Sequence, residues 1–147
     1  MEPKRLFDCI DYQIEKFPKE DMFAAKEEGG IWRKYSTGEV KDIVHKLAAG
    51  LAHLSISAND MSIEGRDKIA VISANRPEWM FLDLAVQMTG AVLVPIYPTL
   101  SVNELEFVLN DAAVKLVFTG DEDLYNKVQS IRSKVPSVQA VYSFSYI

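Results

Sequence analysis

Residues 67–101 read DKIAVISANRPEWMFLDLAVQMTGAVLVPIYPTLS. An apolar run, Ile69–Ser73, gives way to the turn Ser73–Arg76 and then to a segment bounded by Pro77 and Gly90. Proline suits the first turn of a helix, where its missing N–H would have no partner, and glycine suits the residue just past the end. A second apolar run, Val92–Ile96, follows, and Tyr97-Pro98-Thr99 leads to Ser101. The stretch is a strand–helix–strand unit. Both strands are apolar almost throughout, as in a parallel sheet covered on its two faces, rather than alternating as in a half-solvated one.

The same rhythm continues downstream. Apolar runs begin at Ile69, Val92, Lys115 and Val138, 23 residues apart each time. Strands are expected at Ile69–Ser73, Val92–Ile96, Lys115–Thr119 and Val138–Tyr142, with helices over 77–89, 101–112 and 122–133. Ser101 with Glu104 forms a capping box, and Leu105, Val108, Leu109 and Ala112 make one face of the helix behind it. Pro136 breaks the last helix. Right-handed crossovers then give an α/β fold, a doubly wound parallel sheet of about four strands with flanking helices. The pattern leaves strand order open.

Upstream of residues 59–66 the organisation differs, so the chain divides into 1–58 and 67–147. Leu6, Ile10, Ile14 and Phe17 fall at helical spacing, ended by Pro18. Gly29-Gly30 supplies a positive-φ turn for a hairpin of Met22–Glu27 and Ile31–Tyr35. Ser36 and Glu39 form a second capping box, opening a helix over 37–54 with Val40, Ile43, Val44, Leu47, Leu51 and Leu54 on one face. Ordering its residues costs about 1–2 kcal/mol each. Six buried apolar side chains return only about 1.5–3 kcal/mol each, so this helix must lie against the sheet or its helices.

Composition excludes several functions. The 147 residues are 48% hydrophobic and 25% charged, the composition of one globular domain. A formal charge of −5 with no basic run excludes a nucleic-acid surface. The single cysteine, Cys9, forms no internal disulfide and points to a reducing compartment, which makes the cytoplasm the expected location. Charges interrupt every long apolar run, so neither a signal peptide nor a transmembrane helix is expected.

Motifs for direct chemistry are missing where the fold would want them. The turn after the first strand, SANRPEW, has no glycine for a pyrophosphate to approach, and no Walker loop occurs. The lone glycine of YSTGE (35–39) belongs to a helix start. His45 and His53 stand too far apart on one helix to share a metal, and no Cys or carboxylate cluster completes a set. In an open parallel sheet the site lies outside the carboxyl ends of the strands. Here that edge comprises Ser73–Arg76, Tyr97–Thr99 and Thr119–Asp121. Asn75, Arg76, Tyr97 and Thr99 are the candidate substrate-face residues: Arg76 to attract an anion, Tyr97 and Thr99 to line a channel. The same residues also serve as turn formers, with Asn75 and Arg76 starting a helix and Pro98 keeping its loop extended.

Ser73-Ala74-Asn75-Arg76-Pro77-Glu78-Trp79 and Pro95-Ile96-Tyr97-Pro98-Thr99-Leu100-Ser101, at this spacing and preceded by WRKYSTGEVKDIVHKLAAGL (32–51), resemble the N-terminal part of AMP-forming acyl-CoA synthetases. The likeness is greatest to long-chain fatty acid–CoA ligases and covers about Leu6 to Tyr142. It implies a parent enzyme that joins a fatty acid to ATP as acyl-AMP and passes the acyl group to coenzyme A, with Mg²⁺ as cofactor. It also implies that the phosphate loop, of the type Y-T-S-G-T-T-G-x-P-K-G, and the adenine, ribose and Mg²⁺ contacts lie outside these residues. No catalytic, cofactor-binding or metal-binding residue is therefore assigned here, and the chain alone is expected to bind neither ATP nor Mg²⁺ and to be inactive.

The apolar ending VYSFSYI (141–147) leads us to expect a segment of a longer polypeptide, whose remainder is its partner. Self-association of the segment and a peripheral membrane contact of the parent are further expectations. Other readings stay open: a short-chain, aryl or peptide-synthetase adenylating enzyme, or a non-enzymatic flavodoxin-like interaction domain. A receiver module would need an acidic cluster after the first strand, which ISANRPEW lacks.

Overall fold

The computed structural model describes residues 2–147. The chain forms two compact units: residues up to Ile56 together with Arg76–Thr89, and Ser57–Asn75 together with Gly90–Ile147.

The first unit holds α1 (Asp8–Lys16), the strands β1 (Phe23–Lys26) and β2 (Trp32–Tyr35), and α2 (Thr37–His53). The helix that follows the turn Ser73–Arg76 in sequence, α3 (Pro77–Thr89), also groups here. The hairpin pairs Phe23 with Tyr35 through Lys26 with Trp32, antiparallel. Gly29 and Gly30 turn it at φ 83° and 81°, a region closed to most side chains. Both halves of the Ser36 capping box are made, the Glu39 N–H donating to Ser36 Oγ at 3.2 Å and the Ser36 N–H to Glu39 Oε2 at 3.3 Å. α2 packs on α3 with Val40, Val44, Ala48 and Leu51 buried. Ile43 and Leu47 are half-buried, whereas Leu54, expected on this face, lies past the last turn and is exposed. Phe81 of α3 makes T-shaped contacts with Phe23 and Tyr35 at centroid distances of 5.9 and 5.2 Å.

α1 is shorter than the apolar spacing suggests. Leu6 and Phe17 fall outside it and are exposed, and only Ile10 of the helix is buried. The helix is instead tied in by polar bonds. Thr37, fully buried, accepts the Lys19 N–H at 3.0 Å, and its hydroxyl lies 3.0 Å from Gln13 Oε1, the acceptor it donates to. The Thr37 N–H donates to Lys19 O at 2.9 Å. The threonine of YSTGE thus does more than start a helix: it knots α1 and the 17–21 connection to the first turn of α2.

The second unit holds β3 (Lys68–Ile72), β4 (Val92–Ile96), α4 (Val102–Asp111), β5 (Leu116–Thr119), α5 (Glu122–Ser130) and β6 (Ala140–Ser143). The four strands form a wholly parallel sheet in the order β4-β3-β5-β6. The order fits Pro95, which has no N–H for a second ladder: β4 is an edge strand, and Pro95 sits opposite Val71 with its other side unpaired. Ala70, Ile72, Val117 and Ile96 pack with Leu105 and Leu109 of α4 and Leu124 and Val128 of α5. Ile69, Val71 and Leu116, which alternate with that set, are buried as well, so both faces of the central strands are out of water. α5 stops at Ser130, before the expected 133, and a 3₁₀ turn at Arg132–Lys134 precedes β6. Val138 closes a turn onto Val135 O, which delays β6 to Ala140.

Candidate functional site at the carboxyl edge of the sheet

Register fixes where the strands end. Ile72 stands opposite both Ile96 and Thr119, and Thr119 opposite Ser143. Ser73, Tyr97, Gly120 and Phe144 therefore open neighbouring loops along one edge. Because the connection from β3 leads to β4 on one side and the connection from β5 leads to β6 on the other, the topological switch point falls between β3 and β5. Ligands of open α/β sheets sit there as a rule.

There the first residues of the loops after β3 and β5 stand close together. The Gly120 N–H donates to Ile72 O at 2.8 Å, and a Cβ on Gly120 would stand 2.6 Å from Ser73 Oγ and 3.1 Å from Ser73 Cα. Ser145 Oγ donates to Gly120 O at 2.8 Å and the Phe144 N–H to Thr119 O at 2.9 Å, folding the segment after β6 over the edge. Phe118 stacks on Tyr142 and Phe144 beneath, at centroid distances of 5.1 and 5.9 Å. No three His, Cys, Asp or Glu side chains converge as a metal would require, among the described residues.

The four candidates have different surroundings. Tyr97 is 80% exposed, and Thr99 and Asn75 are exposed too. The Leu100 N–H donates to Tyr97 O at 3.2 Å, and the Ser101 capping box continues the turn into α4. Tyr97, Thr99 and Asn75 belong to the second unit, whereas Arg76 begins a segment of the first. Arg76 is not a solitary cation. Its Nε and a terminal nitrogen grip both oxygens of Glu78 at 2.9 and 3.2 Å. Burial pushes the Glu78 carboxyl up, but the Arg76 hydrogen bonds, its own backbone N–H and the charges of Arg76 and Arg33 outweigh this, holding it below the usual carboxylate range. Arg76 thus meets an incoming anion with its charge already partly compensated. Glu78 was legible as the second residue of a helix but not as this partner. Gly120, too, was legible only as one turn residue among several.

A family model described as AMP-binding enzyme matches residues 10–145. The long-chain-fatty-acid–CoA ligase FadD15 of Mycobacterium bovis is 30% identical over 112 residues, covering 76% of this chain and 18% of that protein. Long chain acyl-CoA synthetase 4 of Arabidopsis thaliana is 26% identical over 144 residues, covering 94% of this chain and 20% of its own length. The chain thus spans about a fifth of the curated relatives it matches. Among solved structures, a long-chain-fatty-acid-CoA ligase (FadD1) from Archaeoglobus fulgidus superposes with a TM-score of 0.77 at 24% identity, over 100% of this chain and 29% of that one. The anthranilate CoA ligase AuaEII, in complex with anthranoyl-AMP, gives 0.76 at 15% identity, over 94% and 24%. These two likenesses speak for the fold.

Proposed function

Since the chain belongs to the AMP-binding enzyme family, we propose that it is the N-terminal portion of a long-chain fatty acid–CoA ligase. The reaction has two steps. A carboxylate oxygen of the fatty acid attacks the α-phosphorus of ATP and pyrophosphate leaves. The sulfur of coenzyme A then attacks the acyl carbon and AMP leaves. The observation that carries this reading is the family match over 10–145 together with relatives named as long-chain ligases.

In this reading the residues here are scaffold for the acyl and nucleotide site, with Asn75, Tyr97 and Thr99 as the substrate-face candidates of the second unit and Arg76 that of the first. Their limits follow from donors that already have partners. Stabilising charge at the α-phosphorus takes preorganised donors, each worth about 2.7–4 kcal/mol in the transition state. Arg76 is already shared with Glu78, and the Gly120 N–H is spent on Ile72. The 147 residues alone therefore bind ATP·Mg²⁺ poorly and turn nothing over. The lone Cys9 supports a cytoplasmic location, and the fatty acid substrate supports a peripheral contact with the membrane that supplies it.

The test is calorimetric titration with ATP·Mg²⁺ and fatty-acid-dependent pyrophosphate release. Both are measured on these residues alone and on the polypeptide extended through a Thr/Ser/Gly-rich phosphate loop and the C-terminal domain. Silence in the first and release with long-chain acids in the second is expected. Micromolar binding with turnover by the 147 residues would overturn the scaffold role. Release with short or aryl acids only would overturn the substrate class.

A further inference from the structure

The loop that carries Tyr97 and Thr99 is held by a side chain distant in sequence. Lys127, part-buried on α5, donates from Nζ to Leu100 O at 2.9 Å and to Pro98 O at 3.2 Å. Tyr97 O accepts the Leu100 N–H, and at the far end the Ser101 N–H donates to Glu104 Oε2 at 2.8 Å. Proline fixes one φ in the middle. Carbonyls on an exposed loop would find water without help, and a lysine gives up side-chain freedom to bind them. What the arrangement secures is the shape of the backbone. The side chains it leaves outward are Tyr97, 80% exposed, and Thr99. An exposed aromatic on an immobilised loop is the form a preorganised contact takes, because ordering costs are met before binding.

We propose that Lys127 is a positioning residue: its ammonium pins Pro98 and Leu100 so that Tyr97 and Thr99 are presented in one orientation at the carboxyl edge of the sheet. Its consequence for catalysis rests on the ligase reading above; its consequence for the loop does not. The ammonium touches no reacting atom. Met keeps the length of the stem and removes every donor, whereas Arg restores donors to carbonyl oxygens.

The first measurement is amide hydrogen exchange in the full chain, wild type against Lys127→Met and Lys127→Arg. In the Met variant exchange at Leu100 is expected to rise about tenfold, the loss of one ordinary net hydrogen-bond contribution. Val71 and Val117 in the sheet should stay unchanged, and Arg should recover most of the protection. If Met fails to fold, Lys127→Gln, shorter but still a donor, takes its place with an intermediate rise expected. Unchanged exchange at Leu100 in a folded variant overturns the proposal. So does a rise spread equally over the sheet. The second measurement is steady-state kinetics in the complete enzyme, where KM for the fatty acid should rise about tenfold with kcat little moved, as for lost uniform binding. An active enzyme whose KM ignores a loosened loop overturns the catalytic consequence. An enzyme inactive toward fatty acids while Leu100 exchange still rises overturns the ligase reading and leaves the pinning in place.

Discussion

Asp67 is the buried charge on which the amino-terminal end of the sheet is built, and its replacement by Asn gives a sharp test. The side chain is 3% exposed. Oδ1 takes Lys115 Nζ at 2.6 Å and Asn59 Nδ2 at 2.9 Å, and Oδ2 takes the Ser57 N–H at 2.9 Å. An Asn of the same shape offers one oxygen. Either its NH₂ faces the Ser57 N–H, or it faces Lys115 and Asn59, and in both cases donors meet donors. Hydrogen bonds to charged groups contribute about 1.5–3 kcal/mol each, and breaking a buried pair costs about 3–5 kcal/mol. The Lys115 side chain is 35% exposed and can turn to water, which lowers the upper end. We expect Asp67→Asn to cost about 2–4 kcal/mol at pH 7. Lys115→Met, which leaves the buried Asp67 carboxylate two neutral donors and no cation, should cost about 2–4 kcal/mol.

The pH dependence carries the sign. Burial pushes the Asp67 carboxyl up, but the Lys115, Ser57 and Asn59 hydrogen bonds and the Lys115 charge together bring it below its usual value. A carboxyl whose pKa is depressed in the folded state contributes stability in full above the unfolded value, about 3.9. That contribution is lost as pH falls through the folded value. The gap between wild type and Asp67→Asn should therefore be flat from pH 7 to 5 and close below about pH 4. Urea denaturation followed by circular dichroism at stepped pH measures it. A gap under about 1 kcal/mol at pH 7, or one unchanged at pH 3, would refute the reasoning.

The other expectations are narrower. Gly120→Ala drives a Cβ against Ser73 Cβ and Cα at 3.0 and 3.1 Å, and should lose about 1–3 kcal/mol by urea denaturation; a neutral result would mean that β3 and β5 separate easily there. Thr37→Val leaves the Lys19 N–H and Gln13 without their buried partner; it should cost about 1–3 kcal/mol and show as faster exchange at Lys19. Leu6, Phe17, Ile31 and Trp32 stand exposed in the first unit, so light scattering at rising concentration should show self-association, and Trp32→Ser should weaken it. A strict monomer at high concentration would count against that expectation.

Much of the fold could be read because its determinants are local. The apolar runs, both capping boxes and the prolines and glycines at helix ends depend on residues within four positions of one another, and α3 and β4 fall where the sequence puts them. Misreadings arose where apolar spacing stood in for burial: Leu6 and Phe17 complete a helical pattern but meet water. The candidate site was legible as an edge and not as a set of roles. Nothing near Arg76 in sequence shows that its guanidinium is shared, and nothing near Lys127 points to carbonyls 27 and 29 residues earlier. Asp67 likewise looks like an ordinary loop end until β5 brings Lys115 beside it.

Pro95 has a consequence for how the sheet can grow. On the outer side of β4 an added strand would find a ring carbon where a donor is needed. Extension by backbone pairing is therefore obstructed along that border, while the outer side of β6 carries no such obstacle among its residues Ala140–Ser143. The two borders are thus unequal: a segment pairing along β4 would meet Pro95, whereas one pairing along Ala140–Ser143 would meet no proline.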